Sequence, residues 1–415
     1  MSFMCQQNSY LKELQTKVRS CKTATLALVE NGKKTTVQGY EVILNDTILF
    51  PEGGGQPDDR GTINDVPVLR ITRVGKDAVH FVAVEIPENG DAILKLDWQR
   101  RFDHMQQHTA QHLITALADH KFGFKTTSWN IGTDIVSIEL DTPLITDEQL
   151  NEIEISANEK IRDNVPVVVT LYGDKSDPEL KKFRGLGLPA DQEGPVRVLT
   201  IEGIDSTLCC GTHISSLSHI QAIKMLGAEK GKKNKMNVLF LAGGRLLKYV
   251  GQSFAREKTL TGILKGPADN HCELADKAVK GMKLLQKTSN QQLREIATLE
   301  AAMFKQANQK DKVFVKHRKE GDNDYMSVLI GELATEDIPK LITVGDDKEG
   351  GMFILAGSDE LLKELGQQIC DLFEGKGAPS KGMFRGKAGK LNTRQKAESL
   401  LRDYVSAHSV VDKES

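Results

Sequence analysis

The amino-acid sequence predicts an α+β fold made of four consecutive segments. Short runs of β-branched and aliphatic residues between glycine, asparagine and aspartate turns indicate a β-rich, barrel-like domain over residues 1–98. Helical and strand patterns alternate over residues 99–250 and indicate an α/β domain. A charged helical pattern over residues 251–310 indicates a connector, and strand-like runs over residues 311–415 predict a small C-terminal α/β domain. A chain of 415 residues is long enough for this arrangement.

The first domain is predicted from three strand-like runs and one glycine-rich loop. The runs are residues 23–29, 40–44 and 68–74, each bounded by turn residues. Between the second and third runs lies the loop Phe50–Gly61, which contains the glycine run Gly53–Gly55. Consecutive glycines let the backbone approach a ligand closely, and a tight turn between strands is the other interpretation.

Two helices and two strands are predicted for the second domain. One helix spans Arg101 to about Ala118, and another spans about Thr146 to Asn164 with its apolar residues on a helical period. Strand-like runs follow at residues 165–170 and 196–201, and the segment that contains Cys209 comes directly after them.

A long helix or a helical hairpin is predicted between about Ala255 and Gln309. The pattern is charged, and its apolar positions follow a three-to-four spacing at Leu293, Ile296, Leu299 and Met303. Such a stripe either packs within the chain or forms a homodimer through the C-terminal region.

The C-terminal domain is predicted from three strand-like runs, one helix and one loop. The runs are residues 313–317, 341–344 and 352–356, and the helix spans Asp359 to Phe373. Residues 375–389, rich in glycine and lysine, are predicted to form a loop.

Composition and charge exclude several classes of protein. The net charge is −2, so any contact with nucleic acid must use local basic patches. We expect neither a membrane-spanning helix nor a secretory signal, because the sequence has no run of about 18 apolar residues and no basic start followed by an apolar stretch. Six cysteines in a chain of this length do not suggest a disulfide framework, which favours a reducing, cytoplasmic location.

Two pairs of candidate metal ligands stand about a hundred residues apart. His108 and His112 are four apart in the predicted helix and can present two imidazoles to one ion. Cys209 and His213 flank Gly211 in a segment suited to a turn. Three histidines and one cysteine suit zinc, so we expect one Zn²⁺ per chain.

These motifs together resemble the AlaX family, the free-standing relatives of the alanyl-tRNA synthetase editing domain. The resemblance rests on Gly-Gly-Gly-Gln-Pro at residues 53–57, the His-x-x-x-His helix, and the Cys-x-Gly-Thr-His segment at residues 209–213. Cys210 departs from the family pattern, which has glycine there, and could crowd the turn or add a second thiol. Residues 311–415 are similar to the C-terminal domain of alanyl-tRNA synthetase.

The resemblance implies a hydrolase that edits in trans. Its substrate would be tRNA(Ala) mischarged with serine, with glycine as a second candidate, and Ala-tRNA(Ala) would be spared. Residues 99–250 would then be a zinc-binding editing domain. Thr109 follows His108 where a zinc protease would have its glutamate base, which argues against proteolysis.

Two further residues are expected in the site. Gln56 carries both a donor and an acceptor beside the glycine run. By resemblance, Thr47 is the candidate that senses the serine hydroxyl. A polar group committed to that hydroxyl would be left unpaired by alanine, which gives selectivity for serine.

Basic patches are the candidates for RNA contact. One consists of Lys230, Lys232, Lys233 and Lys235, and another consists of Lys376, Lys381, Arg385, Lys387 and Lys390 around the C-terminal glycine-rich segment. A solvated charge run is the ordinary interpretation of either patch. The alternative function as a whole is a non-catalytic tRNA-binding protein with a structural zinc, since closed four-ligand sites are usually structural.

Overall fold

The computed structural model describes residues 3–30, 33–173, 176–185, 195–307 and 311–408. The chain divides into two units, Met1–Glu257 and Lys258–Ser415. The first unit contains helices, the barrel and two further sheets, and the second contains helices and one five-stranded sheet, so the predicted α+β class is confirmed. None of the helices within the described ranges is both long enough and apolar enough to cross a membrane.

Six antiparallel strands close into a barrel at the start of the first unit. A short helical turn, α1 (Met4–Gln7), precedes them. The order around the barrel is β1-β2-β5-β4-β3-β6, and the barrel interior is filled by aliphatic side chains such as Val42, Ile71 and Leu94. The strands are β1 (Glu13–Glu30), β2 (Lys33–Leu44), β3 (Gly61–Ile63), β4 (Val66–Val74), β5 (Asp77–Val82) and β6 (Asp91–Leu96).

Helix α2 (Trp98–Phe122) follows the barrel and is the central element of the first unit. Asp97 caps its start, and Gly123 ends it in the left-handed conformation, with φ of 71°. The helix is longer at both ends than the predicted one, and residues 104–118 are buried without interruption. It therefore has protein on all sides, which allows polar side chains along it to meet one another away from water.

Two small sheets and one helix surround α2. Sheet β12-β13-β8-β7 and sheet β11-β10-β9 contribute apolar side chains to one core with α2 and α3. Thr146 and Gln149 form a capping box at the start of α3. The elements are β7 (Thr126–Asn130), β8 (Val136–Leu140), α3 (Asp147–Arg162), β9 (Val167–Tyr172), β10 (Val196–Ile201), β11 (Asp205–Leu208), β12 (Ile223–Lys230), β13 (Met236–Ala242) and α4 (Gly243–Leu264).

A buried ion pair joins α2 to the barrel side of the first unit. Arg101 and Asp59 are both fully buried, with 3.0 Å between Arg101 Nε and Asp59 Oδ2. The same guanidinium donates to the carbonyls of Ser9 and Ile48. Loss of either partner would leave a buried charge unpaired, at a cost of about 3–5 kcal/mol.

The second unit begins within α4 and continues through α5 (His271–Gln306). The helical region therefore consists of two helices, as the hairpin alternative allowed, but it begins at Gly243 rather than near Ala255. The start at Gly243 was not predicted from the sequence, because glycines such as Gly243 and Gly244 disfavour helix.

A five-stranded sheet, in the order β14-β15-β16-β18-β17, forms the rest of the second unit. The three strand-like runs and the helix predicted here are confirmed. The elements are β14 (Phe314–Arg318), α6 (Asn323–Glu332), β15 (Lys340–Asp346), β16 (Gly350–Ala356), α7 (Asp359–Leu372), β17 (Lys376–Ser380), β18 (Met383–Ala388) and α8 (Arg394–His408).

The prediction of a loop over residues 375–389 is wrong, because β17 and β18 form a hairpin there. Lys381 and Gly382 turn the chain with φ of 50° and 70°, the two positive values of a tight hairpin turn. A Cβ on Gly386 would lie 2.4 Å from the Phe353 ring, so this glycine makes room for an aromatic side chain rather than for a flexible loop.

Candidate metal centre

The four candidate ligands come together in the first unit. Helix α2 places His108 and His112 on one face, with 4.9 Å between the ring centroids. Residues 209–213, which we call the ligand loop, follow β11 and bring His213 to 4.4 Å from His108 and 5.2 Å from His112. Cys209 completes the group, and the ligand atoms of all four residues lie within 4.8 Å of one another.

The distances from the Cys209 sulfur to two of the imidazole nitrogens match those of a tetrahedral zinc site. Cys209 Sγ is 3.4 Å from His108 Nε2 and 3.3 Å from His213 Nε2. Zn–N and Zn–S bonds of about 2.0–2.3 Å in a tetrahedron give edges of about 3.5 Å. His112 Nε2 is buried without a hydrogen-bond partner, an arrangement that a bound cation would resolve. These residues therefore fit a zinc ion.

Gln56 and Thr109 fix the orientation of two of the imidazoles. Gln56 Oε1 lies 3.0 Å from His108 Nδ1 and also accepts from the backbone N–H of Thr212. Thr109 Oγ1 lies 3.2 Å from His213 Nδ1. When Nδ1 carries the proton and donates to these oxygens, the Nε2 lone pair of each ring is free for a metal.

Burial decides the charge state of the ligands. It lowers the pKa of His108 and His213 well below the usual value and that of His112 to about 3, so the imidazoles are neutral at neutral pH. It raises the pKa of the Cys209 thiol to about 12, and Cys210 adds to this effect while Arg197 opposes it. A cation that binds to the cluster must therefore displace the thiol proton.

The glycine run Gly53–Gly55 lies against the ligand loop and the wall of the site. A Cβ on Gly54, whose φ is 60°, would lie 3.2 Å from Cys210 Sγ. A Cβ on Gly55, whose φ is 84°, would lie 2.7 Å from the indole of Trp129, and that indole is 4.6 Å from the His108 ring. The run is therefore both a turn and a close approach to the candidate metal centre.

Gly211 is the glycine on which the cluster depends most directly. A Cβ at this position would lie 2.3 Å from His108 Cε1 and 2.8 Å from Gln56 Oε1. Any side chain here would push the imidazole and its amide partner apart.

Thr47 lies in a different environment from Gln56. Its hydroxyl is 2.9 Å from His80 Nε2 and accepts from the backbone N–H of Leu49. It lines a cavity of about 90 Å³ together with His80, Asp46 and Asp77. Among the described residues, none of the four candidate ligands lines this cavity.

The lysines predicted to contact RNA lie at the turn between β12 and β13. Lys230, Lys232 and Lys233 are exposed, and Lys233 has a positive φ of 54° in the turn. Lys235 differs from the other three because its Nζ is 3.0 Å from Glu139 Oε1. The structure thus presents three exposed cations and one that is paired.

Sequence reasoning missed three residues beside the cluster. Gln6 Nε2 donates to the Cys210 carbonyl over 2.7 Å, and Arg197 Nη1 donates to the Cys209 carbonyl over 2.8 Å. Trp129 packs on His108. Gln6 is 204 residues from Cys210 and Arg197 is 12 residues from Cys209, and no spacing rule joins any of the three residues to the cluster.

Comparison with known proteins identifies the family of this chain. Residues 196–239, which include the ligand loop, match the family model described as the threonyl and alanyl tRNA synthetase second additional domain. The chain is 51% identical over 407 residues to the alanyl-tRNA editing protein Aarsd1-B of Xenopus laevis, covering 98% of each chain. It is 50% identical over 410 residues to Aarsd1 of Mus musculus, covering 99% of each chain. The alanyl-tRNA editing protein AlaX-L of Pyrococcus horikoshii is 33% identical over 214 residues, 50% of this chain and 52% of that protein. The chain therefore belongs to the alanyl-tRNA editing protein family.

Proposed function

We propose that this protein hydrolyses the ester bond of tRNA(Ala) mischarged with serine, acts in trans and in the cytoplasm, and leaves Ala-tRNA(Ala) intact. The observation that carries the proposal is the convergence of four metal donors, Gln56 and the glycine run on one buried cluster. The names of the vertebrate and archaeal relatives, all alanyl-tRNA editing proteins, point to the same substrate class. Gly-tRNA(Ala) is the second candidate substrate.

Zinc is the proposed ion, with one per chain held by His108, His112, Cys209 and His213. When bound, it would supply a Lewis acid or a fixed positive charge near the ester. The chain's own residues do the rest. Gln56 and Thr109 hold two imidazoles in one orientation, and the glycines at 54 and 55 let their loop pack closely against Cys210 and Trp129 beside the cluster.

Selection of serine is assigned to the Thr47 hydroxyl. The pKa of His80 is lowered to about 4 by burial, so the ring is neutral, and its Nδ1 lies 3.2 Å from the Val42 carbonyl. Nδ1 therefore carries the proton, and Nε2 accepts from the Thr47 hydroxyl. With Leu49 N–H on one lone pair, Thr47 Oγ1 retains one lone pair that a serine hydroxyl can use. The proposal requires the serine side chain to enter the Thr47 cavity.

A deacylation assay with Ser-tRNA(Ala), Gly-tRNA(Ala) and Ala-tRNA(Ala) tests the proposed function. We expect rapid release of serine and almost no release of alanine. The matched control is the His112→Ala variant, which loses one donor and should lose most of the activity. Release of serine at the spontaneous rate by the metal-loaded wild type would contradict the proposal.

A non-catalytic tRNA-binding protein with a structural zinc is the second candidate. The observation in its favour is the closed donor set, because four protein ligands leave no open position on a tetrahedral ion. The same assay separates the two candidates when tRNA binding is measured beside it. A wild type that binds Ser-tRNA(Ala) tightly without hydrolysing it would support the second candidate.

A further inference from the structure

The N-terminal turn Phe3–Asn8, which includes α1, is joined on one side to the loop that follows the second barrel strand. Met4 N–H donates to Asp46 Oδ1 over 3.0 Å, and Cys5 N–H donates to the Thr47 carbonyl over 3.1 Å. Cys5 is fully buried. The turn is thus a fixed part of the first unit.

The other side of this turn is joined to the ligand loop. Gln6, which is 7% exposed, accepts from Phe3 N–H and donates through Nε2 to the Cys210 carbonyl. These two bonds use both ends of one amide. The N-terminal turn therefore bridges the barrel side and the backbone beside Cys209.

Arg197 makes a second connection between the same segments. Its Nε donates to the Gln6 carbonyl over 3.2 Å and its Nη1 to the Cys209 carbonyl over 2.8 Å. The strand β10 that carries Arg197 also accepts from Cys209 N–H through the Arg197 carbonyl. Both backbone polar groups of Cys209 are therefore held by one residue.

The charge of Arg197 distinguishes it from the other buried arginines of the first unit. Arg101 is paired with Asp59 and Arg245 with Asp103. Arg197 is 7% exposed, and its Nη2 has no hydrogen-bond partner within the described residues. A buried cation with no carboxylate costs folding energy, which is the mark of a residue retained for a site rather than for stability.

We propose that Gln6 and Arg197 are positioning residues of the metal centre, which hold the backbone of Cys209 and Cys210 so that the Cys209 thiol faces the three histidines. The inference rests on the metal site of the proposed function. It makes the first residues of the chain part of that site, although they supply no ligand.

Cobalt titration of the full-length protein tests this role. Gln6→Glu keeps the acceptor for Phe3 N–H and removes the donor to the Cys210 carbonyl. Arg197→Lys keeps the positive charge but removes the guanidinium group that donates to the Gln6 and Cys209 carbonyls together. Each variant should bind Co²⁺ about ten-fold more weakly or worse, as expected for partners that orient ligands. The sulfur-to-cobalt absorption band should shift in both, and the double variant should lose less than the product of the single losses, since both act on one loop.

Arg245→Lys is the matched control, because Arg245 is equally buried at 8% exposure and contacts none of the four ligands among its described partners. It should lower the thermal midpoint and leave cobalt affinity and spectrum unchanged. Wild-type cobalt affinity and spectrum in both Gln6→Glu and Arg197→Lys would overturn the proposal. If Arg197→Lys does not fold, Gln6→Glu alone decides. Absence of cobalt binding by the wild type would instead contradict the metal site itself.

Discussion

The side-chain amide of Gln56 links helix α2, which carries His108 and His112, to the ligand loop. Its oxygen accepts from His108 Nδ1 and Thr212 N–H, and its nitrogen donates to the Thr212 hydroxyl. Sequence motifs were sufficient to place Gln56 near the site. Its role as a partner of a ligand could not be read from them, because the contact to His108 joins residues 52 positions apart.

Cys209 and Cys210 are adjacent thiols with different predicted roles in metal binding. Cys209→Ala should lose zinc, because its sulfur lies among the three imidazoles. Cys210→Ala should retain about one zinc per chain, because the Cys210 sulfur is not one of the four donors and the bond from Gln6 goes to the backbone carbonyl, which the substitution keeps. Elemental analysis of both purified variants measures this. Equal zinc content would contradict the ligand assignment.

The pH dependence of zinc binding should report a single proton. Burial raises the pKa of Cys209 to about 12, so its proton must leave when the ion binds, whereas His112, with its pKa lowered to about 3, is already neutral. Between about pH 6 and 8 the apparent dissociation constant should therefore rise roughly ten-fold for each unit that the pH falls. Competition with a chelator of known affinity gives this slope. A slope near zero would show that no proton leaves when the ion binds, and a slope near two would show that a second group also loses a proton.

Thr47→Val keeps the shape of the side chain and removes its hydroxyl. It should narrow the preference for Ser-tRNA(Ala) over Ala-tRNA(Ala) about ten-fold or more, the value of roughly one hydrogen bond. The ratio of the two deacylation rates is the measurement, and zinc content is the control. An unchanged ratio would show that the Thr47 hydroxyl serves only its hydrogen bonds to Leu49 and His80 and does not select serine.

At the scale of elements, periodic patterns predicted most helices and strands, but tertiary packing decided which faces are buried. On α5, Ala297 and Ala301 are buried with Leu293 and Ile296 packed beside them. Leu299 and Met303, expected on the same stripe, are 63% and 69% exposed. The small side chains of Ala297 and Ala301 let α5 pack closely against α6. A sequence pattern based on hydrophobicity instead predicts burial of the larger apolar residues. The hairpin at residues 376–388 was missed for a related reason, since its glycines accommodate phenylalanine rings.

The turn between β12 and β13 is predicted to contact tRNA phosphates through its exposed lysines. Lys232→Gln with Lys233→Gln should weaken tRNA binding and reduce the slope of log affinity against log salt by about 0.7–0.9 for each phosphate that is no longer neutralised. Filter binding over a range of salt concentrations measures the slope.

Two comparisons sharpen this test. Lys235→Gln should change the slope less, because Lys235 is paired with Glu139. Lys22→Gln with Lys34→Gln, at two exposed positions of the barrel, is the matched control and should leave the slope unchanged. If the control changed the salt slope as much as the turn variant does, the lysines of the turn would have no specific role in tRNA binding.

At the scale of the molecule, the chain consists of two units, and all candidate ligands lie in the first. The separation of the barrel from the residues after it, which the sequence predicted near residue 98, stays a prediction. Helix α4 runs from Gly243 to Leu264 and crosses the boundary between the units. A truncated chain should therefore end after this helix rather than within it.

A chain that ends at Leu264 should bind zinc and deacylate a short acceptor-stem mimic, because the first unit holds the four candidate ligands together with Thr47 and Gln56. It should lose affinity for full-length tRNA if the second unit contributes RNA contacts. Deacylation of full-length tRNA at the rate of the intact chain would exclude that contribution. The homodimer expected through the C-terminal region also stays a prediction, and sedimentation of the intact and truncated chains would test it.

The wide separation of the ligands along the chain has a consequence for the timing of metal capture. His112 and Cys209 are about a hundred residues apart, so at typical rates of synthesis roughly 5–20 s pass between their appearance on the ribosome. During that interval the chain offers an ion two imidazoles and no thiol. An ion held by all four residues would thus be captured only after the barrel and α2 have been made, and a nascent chain that stalls in this interval would carry an incomplete and weakly selective set of donors.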